Sequence, residues 1–178
     1  MTRMRVVLPA VIALGSNQGD REGTIRAAVR DIGALDGITI TDASSLFASA
    51  ALKLDGVDPD APGYLNAILL VRSALSPEEL LHELQAIENA HGRVRLQRWG
   101  DRTLDLDLID FAGLRRDTDE LVLPHPRAFE RSFVLAPWAQ VDPGASLAGH
   151  GRVADLLAQA TDEAWPVEAE PLTAGGAA

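Results

Sequence analysis

The segment 103–109 constrains the fold more than any other part of the chain, because it alternates strictly with leucine at every second position. In a β-strand alternate side chains share a face, so this pattern predicts a half-buried strand. The leucines then point into a core, and the intervening residues point the other way: Thr103, Asp105, Asp107 and Ile109.

Two of these residues, Asp105 and Asp107, would stand about 7 Å apart on one face, from a rise of about 3.3 Å per residue. That separation suits a pair of Mg²⁺ ions, which lie about 3.5–4 Å apart in two-metal sites. A solvated acidic face is the alternative, but Asp is depleted in strands and like charges on one face repel. Four arginines lie just upstream in 92–102, and carboxylates beside arginines indicate a metal–polyphosphate site.

The composition is that of one soluble domain with a real core. The chain has 178 residues, of which 47% are hydrophobic, and a formal net charge of −10. Because the four arginines of 92–102 form a local basic patch on an acidic chain, a small anionic ligand fits better than a nucleic acid. Cysteine is absent, which excludes disulfides, thiolate metal sites and a cysteine nucleophile.

Motifs that are missing exclude other classes of protein. The single lysine, Lys53, stands in no G-x-x-x-x-G-K-[ST] run, so any use of ATP is expected without a P-loop. Pro9 interrupts the apolar stretch near the start, which argues against a signal peptide. No apolar run approaches the length of about 20 residues that spans a bilayer. We therefore expect a cytoplasmic protein with no membrane contact.

Apolar periodicity and capping signals predict the order of the main elements. Asp20 is a candidate cap for the first helix, and Ser76-Pro77-Glu78-Glu79 is a capping box for the second. The order β-α-β-β-α-β is the ferredoxin-like arrangement of the α+β class. The predicted elements are a strand at 10–14, a helix at 20–33, a strand at 38–47 interrupted near Ala43, a strand at 64–71, a helix at 76–92 and a strand at 103–111.

Further helices are expected within 126–140 and at 153–160, as C-terminal additions to this core. Residues 1–160 are expected to form the single domain. Residues 161–178 lack periodicity and end in Gly-Gly-Ala-Ala, so we expect a flexible tail there.

Five blocks of residues, taken in order, resemble the 6-hydroxymethyl-7,8-dihydropterin pyrophosphokinase family of folate biosynthesis. The resemblance covers roughly residues 10–145. It implies a ferredoxin-like core with mobile loops, and an enzyme that transfers the terminal diphosphate of ATP to the pterin's hydroxymethyl group and releases AMP. The blocks are Leu14-Gly15-Ser16-Asn17, Tyr64-Leu65-Asn66, Glu88 with 92–95, the run 98–109, and 123–127 with 131–135.

The resemblance assigns metal and nucleotide roles to individual residues. Asp105 and Asp107 would bind two Mg²⁺ ions between the ATP phosphates and the pterin hydroxyl. Glu88 would support the site from behind or belong to the lid, the loop that closes over the substrates. The residues implied in ATP binding are Arg93, Arg95, Trp99, Arg102, His125 and Arg131, with Arg93 and Arg102 on the phosphates and Trp99 on a lid loop.

The resemblance also assigns the pterin site. Tyr64 and Phe133 would sandwich the ring, Asn66 would hydrogen-bond its edge, and Asn17 would reach the same edge. A flat heterocycle needs such aromatic faces and a few fixed polar partners. The partners expected are therefore the small molecules ATP and the pterin, with no obligate protein partner.

The chain departs from the family pattern at two places. Residues 48–53 lack the proline and glycine usual in the loop after the second strand, which puts the detailed pterin contacts in question. Asp101 stands beside Arg102 where the family more often has proline or a small residue, and its carboxylate would weaken the arginine's hold on phosphate.

Two other functions stay open on the residues alone. A metal-dependent phosphodiesterase would use Asp105 and Asp107 in the same way, although the acidic net charge counts against a nucleic-acid substrate. The second is a non-enzymatic ferredoxin-like module that binds a small ligand. This function leaves the aspartate pair and the arginines without a role.

Overall fold

The computed structural model describes residues 4–50, 63–92 and 103–173, together with the backbone of 52–53 and 56–57. The helices are α1 (Arg21–Gly33), α2 (Pro77–His91), α3 (Ser132–Val141) and α4 (Val153–Gln159), with a 3₁₀ turn at Ala128–Glu130. The strands are β1 (Leu8–Ser16), β2 (Ile38–Ala43), β3 (Phe47–Ser49), β4 (Leu52–Lys53), β5 (Gly56–Val57), β6 (Tyr64–Ser73), β7 (Asp105–Phe111), β8 (Arg116–Asp117), β9 (Val122–Leu123), β10 (Ser146–Leu147), β11 (Gly151–Arg152) and β12 (Ala164–Pro166).

One antiparallel sheet organises the molecule. It has six strands in the order β12-β3-β6-β1-β7, with β2 also paired to β6. The other strands form the hairpins β4-β5, β8-β9 and β10-β11. With α1 and α2 as the connections, the central strands follow β-α-β-β-α-β, so the predicted ferredoxin-like α+β fold is confirmed. α3 and α4 are the predicted C-terminal helices.

The two faces of the sheet bury separate apolar cores. α1 and α2 cover one face, where the three leucines of the alternating segment are buried, as predicted. α3, backed by α4, covers the other face around Ile68 and Trp138. Ile109 joins this second core with 1% of its surface exposed. The face that carries the two aspartates is therefore apolar further along β7.

The two long helices begin where the sequence predicts. The carboxylate of Asp20 accepts a hydrogen bond from the Gly23 N–H at 3.0 Å. At the start of α2, the Ser76 hydroxyl accepts from the Glu79 N–H at 3.1 Å, and the Glu79 carboxylate accepts from the Ser76 N–H at 2.8 Å. These bonds satisfy N–H groups that have no partner within the helix.

The predicted strand at 38–47 is interrupted near Ala43, as expected, and divides into β2 and β3. Ser44 bridges the interruption, because its hydroxyl accepts from the Ile68 N–H at 2.9 Å. Its own N–H donates to the Ile68 carbonyl at 2.9 Å. The backbone of β6 thus stays hydrogen-bonded while its partner strand changes course, and Leu46 enters the core.

The segment from residue 161, where we expect a flexible tail, contains a short strand in the part that the structure describes. β12 pairs with β3, placing Ala164 opposite Ser49 and Pro166 opposite Phe47. The Arg26 guanidinium on α1 then donates to the carbonyls of residues 170 and 171 at 2.6 and 3.0 Å. A strand of three residues is too short to show periodicity, which is why the sequence pattern missed it.

Among the described residues, none of the helices combines the length and apolar composition that crossing a membrane requires.

A bulge in β7 leads to a testable pH effect at Asp110. The pairing with β1 shifts between Val11 and Ile12, so that two residues of β7, Ile109 and Asp110, stand against Val11. Burial raises the pKa of Asp110, whose Oδ1 is buried without a hydrogen-bond partner among the described atoms. Because the raised pKa means that folding disfavours the ionised carboxyl, its destabilising effect is present at neutral pH and disappears below both pKa values.

We therefore expect Asp110→Asn to raise the free energy of unfolding at pH 7, by up to about 1 kcal/mol, since an amide carries no charge to desolvate. Urea unfolding of parent and variant at pH 7 and at pH 3 measures this. The two proteins should converge at the lower pH. A stability gain that is equal at both pH values would show that ionisation is not its cause.

Candidate active site

The strand register brings the polar residues of three strands into one row. Asn66 on β6 lies opposite Gly15 on β1, and Gly15 lies opposite Asp105 on β7. Asp107 lies opposite Ala13 in the same way. Residues directly opposite in an antiparallel sheet share a face, so both aspartates and Asn66 point to the same side. Between them stand only the small residues Gly15 and Ala13, which leave room above β1.

That room is a cavity with a volume of about 530 Å³, at the open end of the face that α3 covers. A cavity of this size accommodates a small organic ligand. The sheet contributes the floor, with Ala13, Leu14, Gly15, Tyr64, Asn66, Asp105 and Asp107. The remaining lining residues are Ser49 and Ala50 from β3 and its end, Arg127 and Glu130 from the 3₁₀ turn, Arg131 and Phe133 from the start of α3, and Thr161 and Asp162 from the C-terminal segment.

Glu88 fixes the backbone between the two aspartates. β7 is at the edge of the sheet formed by the described strands, so among them the N–H groups on its outer side have no neighbouring strand to bond. The Glu88 carboxylate on α2 accepts from the Leu106 N–H at 3.0 Å and satisfies one of them. Just before the strand, the Thr103 carbonyl accepts from the Ser16 hydroxyl at 2.6 Å. These bonds hold the start of β7, which the structure places at Asp105 and not at Thr103.

Asn66 is a buried amide whose orientation is set by β3. Its side chain is 3% exposed. Its Nδ2 donates to the Ser49 hydroxyl at 2.8 Å and to the Phe47 carbonyl at 3.4 Å. A buried amide needs such partners, and these two account for its N–H donors. A Cβ built on Gly15 would lie 3.4 Å from Oδ1 of Asn66, so this oxygen is directed toward the row of polar residues.

Two half-buried aromatic residues border the cavity. Tyr64 is the first residue of β6, and Phe133 is the second residue of α3. The Arg131 guanidinium carbon lies 5.5 Å from the centre of the Phe133 ring, within the range of a cation–π contact. Neither ring belongs fully to a core, so each has surface that a flat ligand could cover.

His125 is a neutral imidazole close enough to Asp107 to feel its charge. Burial lowers its pKa most strongly, and the Arg131 and Arg127 charges lower it further, while the Asp107 carboxylate opposes them. The Arg127 N–H lies 3.3 Å from Nδ1, in position to donate to it. At neutral pH the ring is therefore uncharged, and any contact with a phosphate would use its neutral N–H group.

Most of the predicted site residues within the described part meet at this cavity: Tyr64, Asn66, Asp105, Asp107, Arg131 and Phe133. Asn17 and His125 are not among its lining residues, although Asn17 is buried. The sequence reasoning missed Arg127, Glu130, Thr161 and Asp162. The remaining predicted site residues are not in the part of the chain that the structure describes: Arg93, Arg95, Trp99 and Arg102. The same is true of Asp101, where the chain departs from the family pattern.

Comparison with known proteins shows similarity to one family of enzymes. A family model described as 7,8-dihydro-6-hydroxymethylpterin-pyrophosphokinase (HPPK) matches residues 11–143. A relative from Bacillus subtilis named 2-amino-4-hydroxy-6-hydroxymethyldihydropteridine pyrophosphokinase is 42% identical over 132 residues, covering 74% of this chain and 77% of the relative. One of the same name from Synechocystis is 37% identical over 169 residues, covering 94% of this chain and 84% of the relative.

The fold also resembles a solved structure. A crystal structure of Plasmodium falciparum HPPK-DHPS matches with a TM-score of 0.68 and 12% sequence identity. The match covers 89% of this chain and 46% of that longer chain. At this low identity the likeness concerns the fold alone.

Proposed function

The chain belongs to the 7,8-dihydro-6-hydroxymethylpterin-pyrophosphokinase family, and on that premise we propose how it transfers diphosphate from ATP to 6-hydroxymethyl-7,8-dihydropterin with release of AMP. Family membership makes it an ATP-dependent pyrophosphokinase of folate biosynthesis. The observation that carries the assignment of residues is the single row of Asn66, Gly15 and Asp105 beneath one cavity.

Asp105 and Asp107 are the proposed metal ligands, and their chemistry fits Mg²⁺. Among the described residues no group of three or more His, Asp or Glu side chains is placed to hold a metal. Mg²⁺ does not need one, because it is usually bound by one or two carboxylates together with substrate phosphates and water. Two bound ions would neutralise phosphate charge and lower the pKa of the pterin hydroxyl.

The pterin is proposed to bind above Gly15, between Tyr64 and Phe133. The two rings would cover its faces, and Asn66 would hydrogen-bond its edge through Oδ1, since its N–H donors are already used by Ser49 and Phe47. With the ring held there, its hydroxymethyl group would point along the row toward Asp105. Such positioning is the main contribution a protein makes to phosphoryl-type transfer.

ATP is proposed to bind on the far side of the aspartates. Arg131, which lines the cavity, and the neutral His125 are the described residues proposed to contact ATP, and guanidinium groups match phosphate oxygens well. Arg93, Arg95, Arg102 and Trp99 are proposed to complete this site and its lid from outside the described residues. A closed lid would exclude water, which competes with the pterin alcohol for ATP.

An assay of AMP release tests the proposal. The protein is incubated with ATP, Mg²⁺ and 6-hydroxymethyl-7,8-dihydropterin. The amounts of AMP and of pterin diphosphate formed are then measured and compared. We expect the two products in equal amounts, and none without pterin. Cleavage of a phosphodiester that does not depend on pterin would instead indicate a metal-dependent phosphodiesterase. Pterin binding without turnover or Mg²⁺ dependence would indicate a regulatory module.

Gly15 offers a direct test of where the pterin lies. A Cβ at this position makes ordinary contacts, 3.4 Å from Asn66 Oδ1 and 4.0 Å from the Tyr64 ring. Gly15→Val should therefore fold, because β-branched residues suit strands, but its methyl groups would occupy the proposed ring position. We expect the pterin KM to rise about tenfold or more, the scale of overfilling a packed site by about 1–3 kcal/mol.

Gly15→Ala is the matched control, since its single methyl group only touches the neighbours. Its pterin KM should lie between those of the parent and the valine variant. If Gly15→Val is folded and keeps the parent's pterin KM, the ring does not lie above this glycine.

A further inference from the structure

We propose that Asp162, in the C-terminal segment, is a positioning residue that holds the start of α3 and thereby Phe133 at the pterin pocket. This inference rests on the proposed function, because it concerns the same pocket. Asp162 lies beyond residues 11–143, the part of the chain that matches the family model, and it lines the cavity.

The contact between Asp162 and α3 is direct and doubled. Both carboxylate oxygens accept from the Ser132 N–H, at 3.1 and 3.0 Å. In return, the Ser132 hydroxyl donates to the Asp162 carbonyl at 2.9 Å. Ser132 is 3% exposed, so these bonds are shielded from water on one side. The residue thus bonded directly precedes Phe133, the proposed pterin contact of this helix.

α3 needs an external cap of this kind. Its N-cap residue, Arg131, makes no side-chain hydrogen bond to the helix backbone. A proline, Pro137, lies inside the helix and has no N–H to donate to the carbonyl of Phe133, four residues earlier. The first turn of α3 therefore has one internal bond fewer and receives no cap from its own N-cap residue. A carboxylate at a helix N-terminus satisfies an N–H group and also interacts favourably with the helix dipole.

The segment that carries Asp162 is itself anchored beside the pocket. β12 pairs with β3, whose Ser49 accepts the hydrogen bond from Asn66. The Val167 N–H donates to the Leu46 carbonyl at 2.9 Å, which extends the attachment. Asp162 therefore connects the strand that orients Asn66 with the helix that carries Phe133. Through this connection the C-terminal segment fixes the spacing of the two sides of the pocket.

Steady-state kinetics of Asp162→Ala and Asp162→Asn test this role. We expect Asp162→Ala to raise the pterin KM about tenfold, as the loss of a charge-assisted hydrogen bond predicts. The ATP KM should change much less, because Arg131 is only one of several proposed ATP contacts. Asp162→Asn keeps one acceptor oxygen for the Ser132 N–H, so it should recover most of the lost affinity. A role in stability alone would produce neither the split between the two KM values nor this recovery.

Ser76→Ala is the matched control, because it also removes a side-chain cap, in this case from α2. Ser76 lies beyond the last residue of β6, whereas Asn66 lies near the first, so this cap is far from the pocket along the strand. It should lower the melting temperature and leave the pterin KM unchanged. If folded Asp162→Ala behaves like Ser76→Ala or affects both substrates equally, the positioning role is overturned. Should Asp162→Ala not fold, Ser132→Ala, which removes the hydroxyl that donates to the Asp162 carbonyl, is judged by the same two outcomes. A parent protein without pterin-dependent AMP release would instead overturn the proposed function, and this role with it.

Discussion

Asp107→Asn should abolish pterin-dependent AMP release, with a fall in kcat of about a thousandfold or more. Asp107 is one of two carboxylates that the register of β1 and β7 places along one cavity. An amide of the same shape preserves the packing but loses the charge that Mg²⁺ requires. Metal stabilisation of developing phosphate charge is worth several kcal/mol, and each 1.36 kcal/mol is about a factor of ten in rate.

Asp110→Asn is the matched control for this experiment. It makes the same chemical change on the same strand, three residues away, at a side chain that does not line the cavity. It should keep the parent's kcat while gaining stability at pH 7. The melting temperature of Asp107→Asn shows whether that variant is folded. A folded Asp107→Asn with more than about a tenth of the parent's kcat would contradict the metal assignment, since one factor of ten is only 1.36 kcal/mol.

The fold could be predicted from the sequence because its signals are local. The leucines of the alternating segment specify a strand with one buried face, and the bonds of Asp20 and Ser76 specify where two helices begin. Each signal lies within a few residues of sequence, and the structure confirms both the buried leucines and the two helix starts. Edge details were less predictable, because the start of β7 depends on contacts that Ser16 and Glu88 make from distant parts of the chain.

The site was harder to predict in full, because its geometry comes from register. The sequence indicates that Asn66 and Asp105 are unusual in strands, but only the pairing of β6, β1 and β7 shows that Gly15 lies between them. Asp162 gave no signal at all, since an aspartate in an aperiodic segment is ordinary. Its role arises from contacts across 30 residues of chain.

Phe133→Ala should raise the pterin KM by about tenfold to a hundredfold. The ring is half-buried and borders the cavity opposite the row of Asn66 and Asp105. Stacking of an aromatic side chain on a nucleobase is worth about 1–3 kcal/mol per base, and a pterin presents a comparable flat face. Measurement of KM for each substrate separates the two sites, because Arg131 remains available to ATP after its contact with the ring is lost.

Phe129→Ala is the control that removes a neighbouring aromatic ring with a structural role. Phe129 stacks on His150, with ring centroids 4.5 Å apart and planes within 4°, and it does not line the cavity. Its loss should lower stability and leave the pterin KM near the parent value. If Phe133→Ala and Phe129→Ala change the pterin KM equally, the effect is transmitted through the packing of this region, and Phe133 is not a face of the pterin site. A selective effect of Phe133→Ala would place the pterin against α3, where the Asp162 cap acts.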